Sequence, residues 1–123
     1  MAARKQVSYP RRGEVYLVNF DPAVGAVIKK TRPALILQND VGNKHGAVTI
    51  VAGITSTIPP YPHPVRVLIK SPEAGFKSDS VVLLDQIRTV DTSRLGKRIG
   101  ALRPGTLEEV DKALRISLGL VKL

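Results

Sequence analysis

Apolar residues occur along this chain in short runs, many of them β-branched, separated by turn residues. Runs of this kind, bounded by Gly, Pro, Asn and Asp, are typical of β-strands. Residues 39–43 favour a turn, residues 91–94 favour a short capped helical turn, and four prolines at 57–64 exclude a central strand there. The pattern predicts six strands, at residues 14–20, 34–38, 47–55, 65–70, 81–90 and 97–102.

A helical pattern occurs near the C-terminal end. Apolar residues from Leu107 to Leu118 recur at the spacing of one helix face. Thr106 and Glu109 have the spacing of a capping box and predict where this helix begins, and Gly119 predicts where it ends. Strands outnumber helices and no strand–helix–strand rhythm occurs. We therefore expect a mainly β fold, either a compact barrel or a strongly bent antiparallel sheet, closed by one C-terminal helix.

The composition describes a small, basic domain. The 123 residues include 19 Lys and Arg against 10 Asp and Glu, which gives a formal net charge of +9. This length fits a single domain, and we expect a basic N-terminal tail at residues 1–11 followed by one domain at 12–123. The charge points to an anionic partner, and to a polyanion before a small anion.

Several classes of function are excluded by what the sequence lacks. The absence of cysteine excludes disulfides, thiol nucleophiles and thiolate metal sites. His45 and His63 are too far apart in the sequence for a helical metal-binding pair, and no Gly-rich phosphate-binding loop occurs. No apolar run has the length of a membrane span, and the first residues lack the apolar region of a signal peptide. We expect a cytoplasmic protein without a membrane anchor, metal or cofactor.

Polar groups that could contact a nucleic acid cluster at the predicted strand ends. A guanidinium beside hydroxyls and amides suits a phosphodiester whose bases are read by hydrogen bonds. Each of these groups also has an ordinary alternative as a solvated loop or strand-end residue, and His45 and His63 are expected at the surface. The candidates are Lys29, Lys30 and Arg32 before the second strand, Gln38 and Asn39 after it, Thr55 and Ser56 at the end of the third, and Gln86 and Arg88 in the fifth.

These residues fall within blocks that resemble the MazF/PemK family. The blocks are Arg-Gly-Glu-Val-Tyr at 12–16, Lys-Thr-Arg-Pro-Ala-Leu-Ile-Leu-Gln-Asn-Asp at 30–40, Ile-Thr-Ser at 54–56, Asp-Ser-Val-Val-Leu-Leu-Asp-Gln-Ile-Arg-Thr-Val-Asp at 79–91 and Ala-Leu-Arg-Ile-Ser-Leu-Gly-Leu at 113–120. One block alone would be weak support, but together they occur in the expected order over nearly the whole chain.

The resemblance implies an SH3-like barrel of the MazF/CcdB type that works as a homodimer. It implies a toxin of a type II toxin–antitoxin system that cleaves single-stranded RNA at a short sequence without a metal. The family's catalytic residues correspond to Arg32 and Thr55, and Gln38, Asn39 and Gln86 would line the RNA groove, where we also expect Ser56 and Arg88. The implied partners are the RNA, an antitoxin with an acidic disordered segment, and operator DNA bound by the toxin–antitoxin complex.

Metal-free RNA cleavage is most accessible when the ribose 2′-hydroxyl attacks its own phosphate, a nucleophile that DNA lacks. Arg32 suits stabilisation of the charge that grows on the phosphoryl oxygens, and Thr55 suits hydrogen bonding to the reacting group. Arginine is a poor proton acceptor, so the general base stays open, with His45 and His63 as candidates.

The segment 26–31 departs from the family pattern because it is apolar and then basic, where family members often carry small, acidic or amide residues. We expect Lys29 and Lys30 to contact phosphates without selecting bases, and we transfer no cleavage sequence. Two rival functions fit the same features: a nucleic-acid-binding module without catalysis, and a topoisomerase poison like CcdB.

Overall fold

The computed structural model describes residues 9–20 and 31–122. Two α-helices, α1 (Asp40–His45) and α2 (Pro104–Ser117), accompany the strands, and short 3-10 helices occupy Glu73–Gly75 and Thr92–Arg94. No helix in these ranges is long and apolar enough to cross a membrane. The strands are β1 (Glu14–Asn19), β2 (Thr31–Ile36), β3 (Val48–Thr55), β4 (Arg66–Ile69), β5 (Ser80–Asp91) and β6 (Leu95–Ala101).

All six strands form one antiparallel sheet in the order β4-β5-β3-β2-β1-β6. The mainly β fold with a C-terminal helix is confirmed. Of the two expected arrangements, the sheet is open and not a hydrogen-bonded barrel, because β4 and β6 do not pair within the described residues. Instead, α2 contacts β4 and β5, while the 3-10 helix Glu73–Gly75 contacts β6.

The sheet buries apolar residues on both faces because its strands alternate side chains between them. The larger cluster includes Leu35, Ala52 and Ile54, and α2 packs there through Val110 and Ala113. A smaller cluster on the other face consists of Val18, Ala34, Ile36, Val51 and Val90, with Tyr16, Phe20 and Leu95 packed against it. The face with the smaller cluster is therefore the one that α2 leaves uncovered.

Strand β2 differs most from its prediction, since it spans Thr31–Ile36 and not 34–38. Pro33 is expected to precede the strand, but it lies inside it and pairs with Leu17 of β1. The pairing between β2 and β3 begins only at Ala34, so Pro33 has a strand neighbour on one side only. Its missing N–H is tolerated there as it is in an edge strand.

Residues 40–45 form helix α1 where the sequence predicts a turn. Asn39 caps this helix, because its side-chain oxygen accepts a hydrogen bond of 2.8 Å from the Gly42 N–H. The buried Asn43 fastens the helix to the sheet: its Oδ1 accepts from the Thr49 hydroxyl at 2.7 Å and from the Gln38 amide at 3.0 Å. These contacts compensate for the weak helix propensity of a six-residue segment that contains glycine.

Helix α2 begins at Pro104, so the predicted capping box at Thr106 and Glu109 is wrong. The carboxylate of Glu73, a residue only 8% exposed, caps this helix from the neighbouring 3-10 helix. It accepts hydrogen bonds from the Arg103 N–H at 2.9 Å and the Thr106 hydroxyl at 3.0 Å. The predicted end is confirmed, because Gly119 has a φ of +74° just beyond the helix, a conformation that favours glycine.

Candidate active site

The two predicted catalytic residues lie on neighbouring strands. Ala34 of β2 is opposite Gly53 of β3, and Ile36 is opposite Val51. The same register, continued by two residues beyond the last pair, sets Arg32 opposite Thr55. Because alternate residues of a strand share a face, both side chains leave the sheet on the face of the smaller cluster, away from α2.

The Thr55 hydroxyl has a fixed hydrogen-bonding role. Its Oγ1 accepts a hydrogen bond of 3.1 Å from the backbone N–H of Thr57, just beyond the end of β3. A hydroxyl that already accepts retains its proton for donation. Thr55 is therefore prepared to donate a hydrogen bond to an oxygen brought next to Arg32.

A β-bulge displays polar groups of β5 beside this point. Ala52 pairs with Ile87, but the next residue, Gly53, pairs with Leu83, so β5 carries extra residues between them. Leu84 and Ile87 both belong to the larger core cluster, while the two residues between them, Asp85 and Gln86, are exposed. Bulges commonly redirect side chains in this way next to functional sites. Here the bulge exposes Gln86 between the residues of β5 that pair with Ala52 and with Gly53.

Arg88 extends this polar surface farther along β3. It pairs with Val51, and its guanidinium lies 5.0 Å from the centre of the Phe20 ring, a cation–π contact. Val51 is four residues from Thr55, or about 13 Å along the strand. We name this surface the β3 surface; its residues are Arg32, Gly53, Thr55, Gln86 and Arg88.

Gly53 forms the floor of the β3 surface and is not among the residues predicted from the sequence. A Cβ added at Gly53 would meet no atom of the described residues within 4 Å. Its backbone is not in the left-handed region, so neither a tight turn nor core packing requires glycine there. A glycine inside a strand can mark the close approach of another chain, and this signal is present in the sequence.

Of the remaining predicted residues, Ser56 lies at one end of the sheet and Gln38 and Asn39 lie at the other. Ser56 is exposed and adjoins Thr55. Gln38 and Asn39 lie at the other end of β3, where their side chains hold α1: the Gln38 amide also donates to the Val48 carbonyl at 3.0 Å. That end is about 23 Å from Thr55 along the strand, so one copy of the chain does not bring these amides to Arg32. Lys29 and Lys30 lie outside the described residues.

The two histidines also lie at opposite ends of the sheet. His45 ends α1, at the end of the sheet remote from Thr55. His63 lies on the Thr55 side, because it lines a cavity together with Val81, the residue of β5 that pairs with Thr55. Within the described ranges, no group of three His, Asp or Glu side chains could hold a metal ion.

Two ionisable groups among the described residues have displaced pKa values. Burial raises the pKa of Tyr16, and the neighbouring Glu14 carboxylate, which accepts its hydroxyl hydrogen bond at 3.2 Å, raises it further. Tyr16 is therefore a neutral phenol and no acid–base group at neutral pH. The pKa of Asp91 is lowered by hydrogen bonding from the Ser93 N–H at 2.8 Å, the cap of a short helical turn.

Comparisons with known proteins agree with this geometry. A family model described as "PemK-like, MazF-like toxin of type II toxin-antitoxin system" matches residues 11–118. The chain is 43% identical over 111 residues to Endoribonuclease EndoA of Bacillus subtilis (strain 168), a match that covers 90% of this chain and 96% of the relative.

Solved structures show the same fold. An endoribonuclease from a mycobacterial species, in complex with its cognate antitoxin, has a TM-score of 0.76 and 28% identity, covering 93% of this chain and 99% of its own. A MazE-MazF structure (Form-II) from Deinococcus radiodurans also has a TM-score of 0.76 and 28% identity, covering 91% of this chain and 97% of its own. The resemblance seen in the sequence is confirmed: the chain belongs to the PemK/MazF family of toxins of type II toxin–antitoxin systems.

Proposed function

We propose that this protein is a toxin endoribonuclease that cleaves single-stranded RNA at a short sequence, without a metal, by attack of a ribose 2′-hydroxyl. The observation that carries the proposal is the β2–β3 register at Ala34–Ile36, which, continued by two residues, sets Arg32 opposite Thr55 on the face left open by α2. The similar proteins named endoribonucleases support the same activity. A basic chain with a net charge of +9 is suited to a polyanionic substrate.

In the proposed reaction, the 2′-oxygen forms a bond to the adjacent phosphorus and the bond from phosphorus to the 5′-oxygen breaks. The 2′-hydroxyl loses its proton to a basic group or to water, and the departing 5′-oxygen takes a proton from water. The products are therefore a 2′,3′-cyclic phosphate and a 5′-hydroxyl. Without a 2′-hydroxyl the step has no nucleophile, which restricts the reaction to RNA.

Arg32 stabilises the charge that develops on the phosphoryl oxygens, because its planar guanidinium can donate two parallel hydrogen bonds to two of them. Thr55 donates a hydrogen bond from its hydroxyl to an oxygen of the same phosphate, in the orientation that the Thr57 N–H fixes. Arginine remains protonated in proteins, so the 2′-hydroxyl proton goes to another group or to water. Of the two histidines, His63 lies on the Thr55 side of the sheet, but its Nδ1 already accepts a hydrogen bond of 3.3 Å from the Val65 N–H, so the general base stays open.

The β3 surface gives the RNA a path. The RNA enters at Arg32 and Thr55, crosses Gly53 beside the Gln86 amide and reaches the Arg88 guanidinium. The open space at Gly53 lets the RNA approach the sheet, and the two arginines contact phosphates at either end. Ser56 adds a contact at the end where cleavage takes place, and Lys29 and Lys30 are expected to contact phosphates of the same RNA.

The partners follow from the same surface. We infer that a cognate antitoxin covers it with an acidic segment, as a charge of +9 favours, and similar toxins have been solved with their antitoxins. A homodimer would bring in Gln38 and Asn39 from a second copy, since one copy holds them about 23 Å from Thr55. Operator DNA would be bound by the toxin–antitoxin complex.

A cleavage assay in EDTA tests the proposal against its rivals. The protein is incubated with a long RNA and, separately, with DNA of the same sequence, and a topoisomerase assay is run in parallel. We expect cuts in the RNA alone, with cyclic phosphate ends and no topoisomerase inhibition. Binding without cleavage would favour a nucleic-acid-binding module, and trapped topoisomerase would favour the poison. Arg115→Ala, on an exposed part of α2, is the matched control for variants of Arg32.

A further inference from the structure

A cavity of about 410 Å³ lies beside the β3 surface, between the proline-rich segment 57–64 and strands β4 and β5. Val81 of β5 connects the two places, because it pairs with Thr55 on one side and with Leu68 of β4 on the other. Two strand spacings, about 10 Å, therefore separate Thr55 from the cavity wall at Leu68. The lining residues are Ile58, Pro59, Pro60, Tyr61, Pro62, His63, Arg66, Leu68 and Val81.

The cavity walls combine apolar surfaces with hydrogen-bond donors. Its prolines and Tyr61, a residue 64% exposed, offer surfaces against which a planar ring can stack. The His63 Nδ1 accepts a hydrogen bond of 3.3 Å from the Val65 N–H, so in the neutral ring Nε2 carries the proton and donates. Both the walls and this donor suit a flat, polar-edged ligand.

Arg66 supplies a second donor. It lines the cavity, and its Nη2 contacts the Asp85 carboxylate at 3.3 Å while the side chain remains 28% exposed. A guanidinium carries five N–H donors, so the contact with Asp85 leaves others for an acceptor brought by a ligand. A ligand that presents acceptors on one edge could therefore bind both the Arg66 guanidinium and the His63 Nε2.

We propose that this cavity binds the base of a nucleotide next to the cleaved bond, an inference that rests on the proposed ribonuclease function. The donors select a base edge that presents acceptors: N7 and O6 of guanine or O4 of uracil. They disfavour adenine and cytosine, whose corresponding edges present an amino group. The cavity is therefore a specificity site that prefers guanine or uracil at one fixed position of the RNA.

The test combines base removal with variants of the cavity. After the cleaved bond is mapped on a long RNA, short substrates are made in which one nucleotide at a time near that bond lacks its base but keeps its ribose. We measure kcat/KM for the wild type, for Tyr61→Ala and for Arg66→Gln. Val41→Ala, which truncates another exposed apolar side chain at the far end of the sheet, is the control.

We expect one position at which removing the base lowers wild-type kcat/KM by about 5- to 150-fold, the range that base–aromatic stacking gives. In Tyr61→Ala the intact substrate loses a similar factor, and removing that base costs little more, because the contact is already gone. At the same position, guanine and uracil should outperform adenine and cytosine, and Arg66→Gln should reduce that preference. The Val41→Ala control should match the wild type throughout.

Equal penalties in the wild type and both cavity variants at every position would overturn the inference and leave the ribonuclease proposal intact. A wild type that cuts no RNA at all would overturn both. If Tyr61→Ala and Arg66→Gln weakened only the binding of an acidic antitoxin peptide, the occupant would be a protein segment, and the base-binding assignment would be wrong.

Discussion

Substitutions at Gly53 distinguish an effect on stability from an effect on RNA cleavage. A methyl group added there meets no described atom within 4 Å, so Gly53→Ala has room on the sheet. A glycine inside a strand costs about 0.5–1 kcal/mol relative to alanine, because more backbone freedom is lost on folding. Gly53→Ala should therefore raise Tm by roughly 2–4 °C. Gly53→Leu fills the same space with a side chain that stands where the RNA would cross.

Displacing a reacting group by 1 Å can cost about 100-fold in rate, so we expect Gly53→Leu to lower kcat/KM for RNA by about that factor or more. Thermal unfolding and RNA cleavage are measured on the same preparations. Gly105→Leu is the matched control, since an added Cβ at Gly105, in the first turn of α2, also meets no described atom within 4 Å. Wild-type cleavage by Gly53→Leu would show that RNA does not cross this strand.

Three further sets of substitutions test separate parts of the molecule. Arg32→Ala should lower kcat for cleavage by at least about 10³-fold, and Arg32→Lys should keep a small part of the activity, because a lysine supplies charge without paired donors. A wild-type cleavage rate in either variant would show that Arg32 has no role in the reaction. Glu73→Ala should lower the free energy of unfolding, measured with urea, by about 1–3 kcal/mol, because it removes the cap of α2. An unchanged midpoint would show that this cap contributes nothing to stability. Replacing Lys29 and Lys30 together by Gln should flatten the salt dependence of RNA binding by a log–log slope of about 1–2, and an unchanged slope would show that they do not contact the backbone.

The strands were predictable because their burial depends on local residue types. Val48–Thr55 and Ser80–Asp91 each differ from the predicted bounds by one residue at most at either end. Their β-branched and apolar runs have few other ways to be buried. The predicted start of β2 was wrong because proline was expected to precede the strand. At Pro33, β2 has a strand neighbour on one side only, so the missing N–H is tolerated.

The helix starts were not predictable from neighbouring residues. Helix α1 depends on the buried hydrogen bond between Asn43 and Thr49. The residue types around these positions do not predict that contact. The beginning of α2 is set by Glu73, a residue 30 positions away from Arg103 in the sequence. In both cases a tertiary contact overrides the local propensity.

The candidate site divides in the same way. Arg32 and Thr55 can be named from the family blocks, but their opposition depends on the register of β2 against β3. The bulge that exposes Gln86 arises from the unequal number of residues on β3 and β5 and has no signature in the sequence. Conversely, the family blocks suggest Asn39 as a groove residue, yet its side chain caps α1.

Two RNAs that differ by one oxygen would show whether a ribose hydroxyl is the nucleophile. Both carry the mapped cleavage site, and in one of them the nucleotide before the cleaved bond lacks its 2′-hydroxyl. In EDTA, we expect the wild type to cut the unmodified RNA to a cyclic phosphate and to leave the 2′-deoxy substrate intact while binding it with similar affinity. Cleavage of both substrates at the same bond and similar rate would contradict attack by the 2′-hydroxyl.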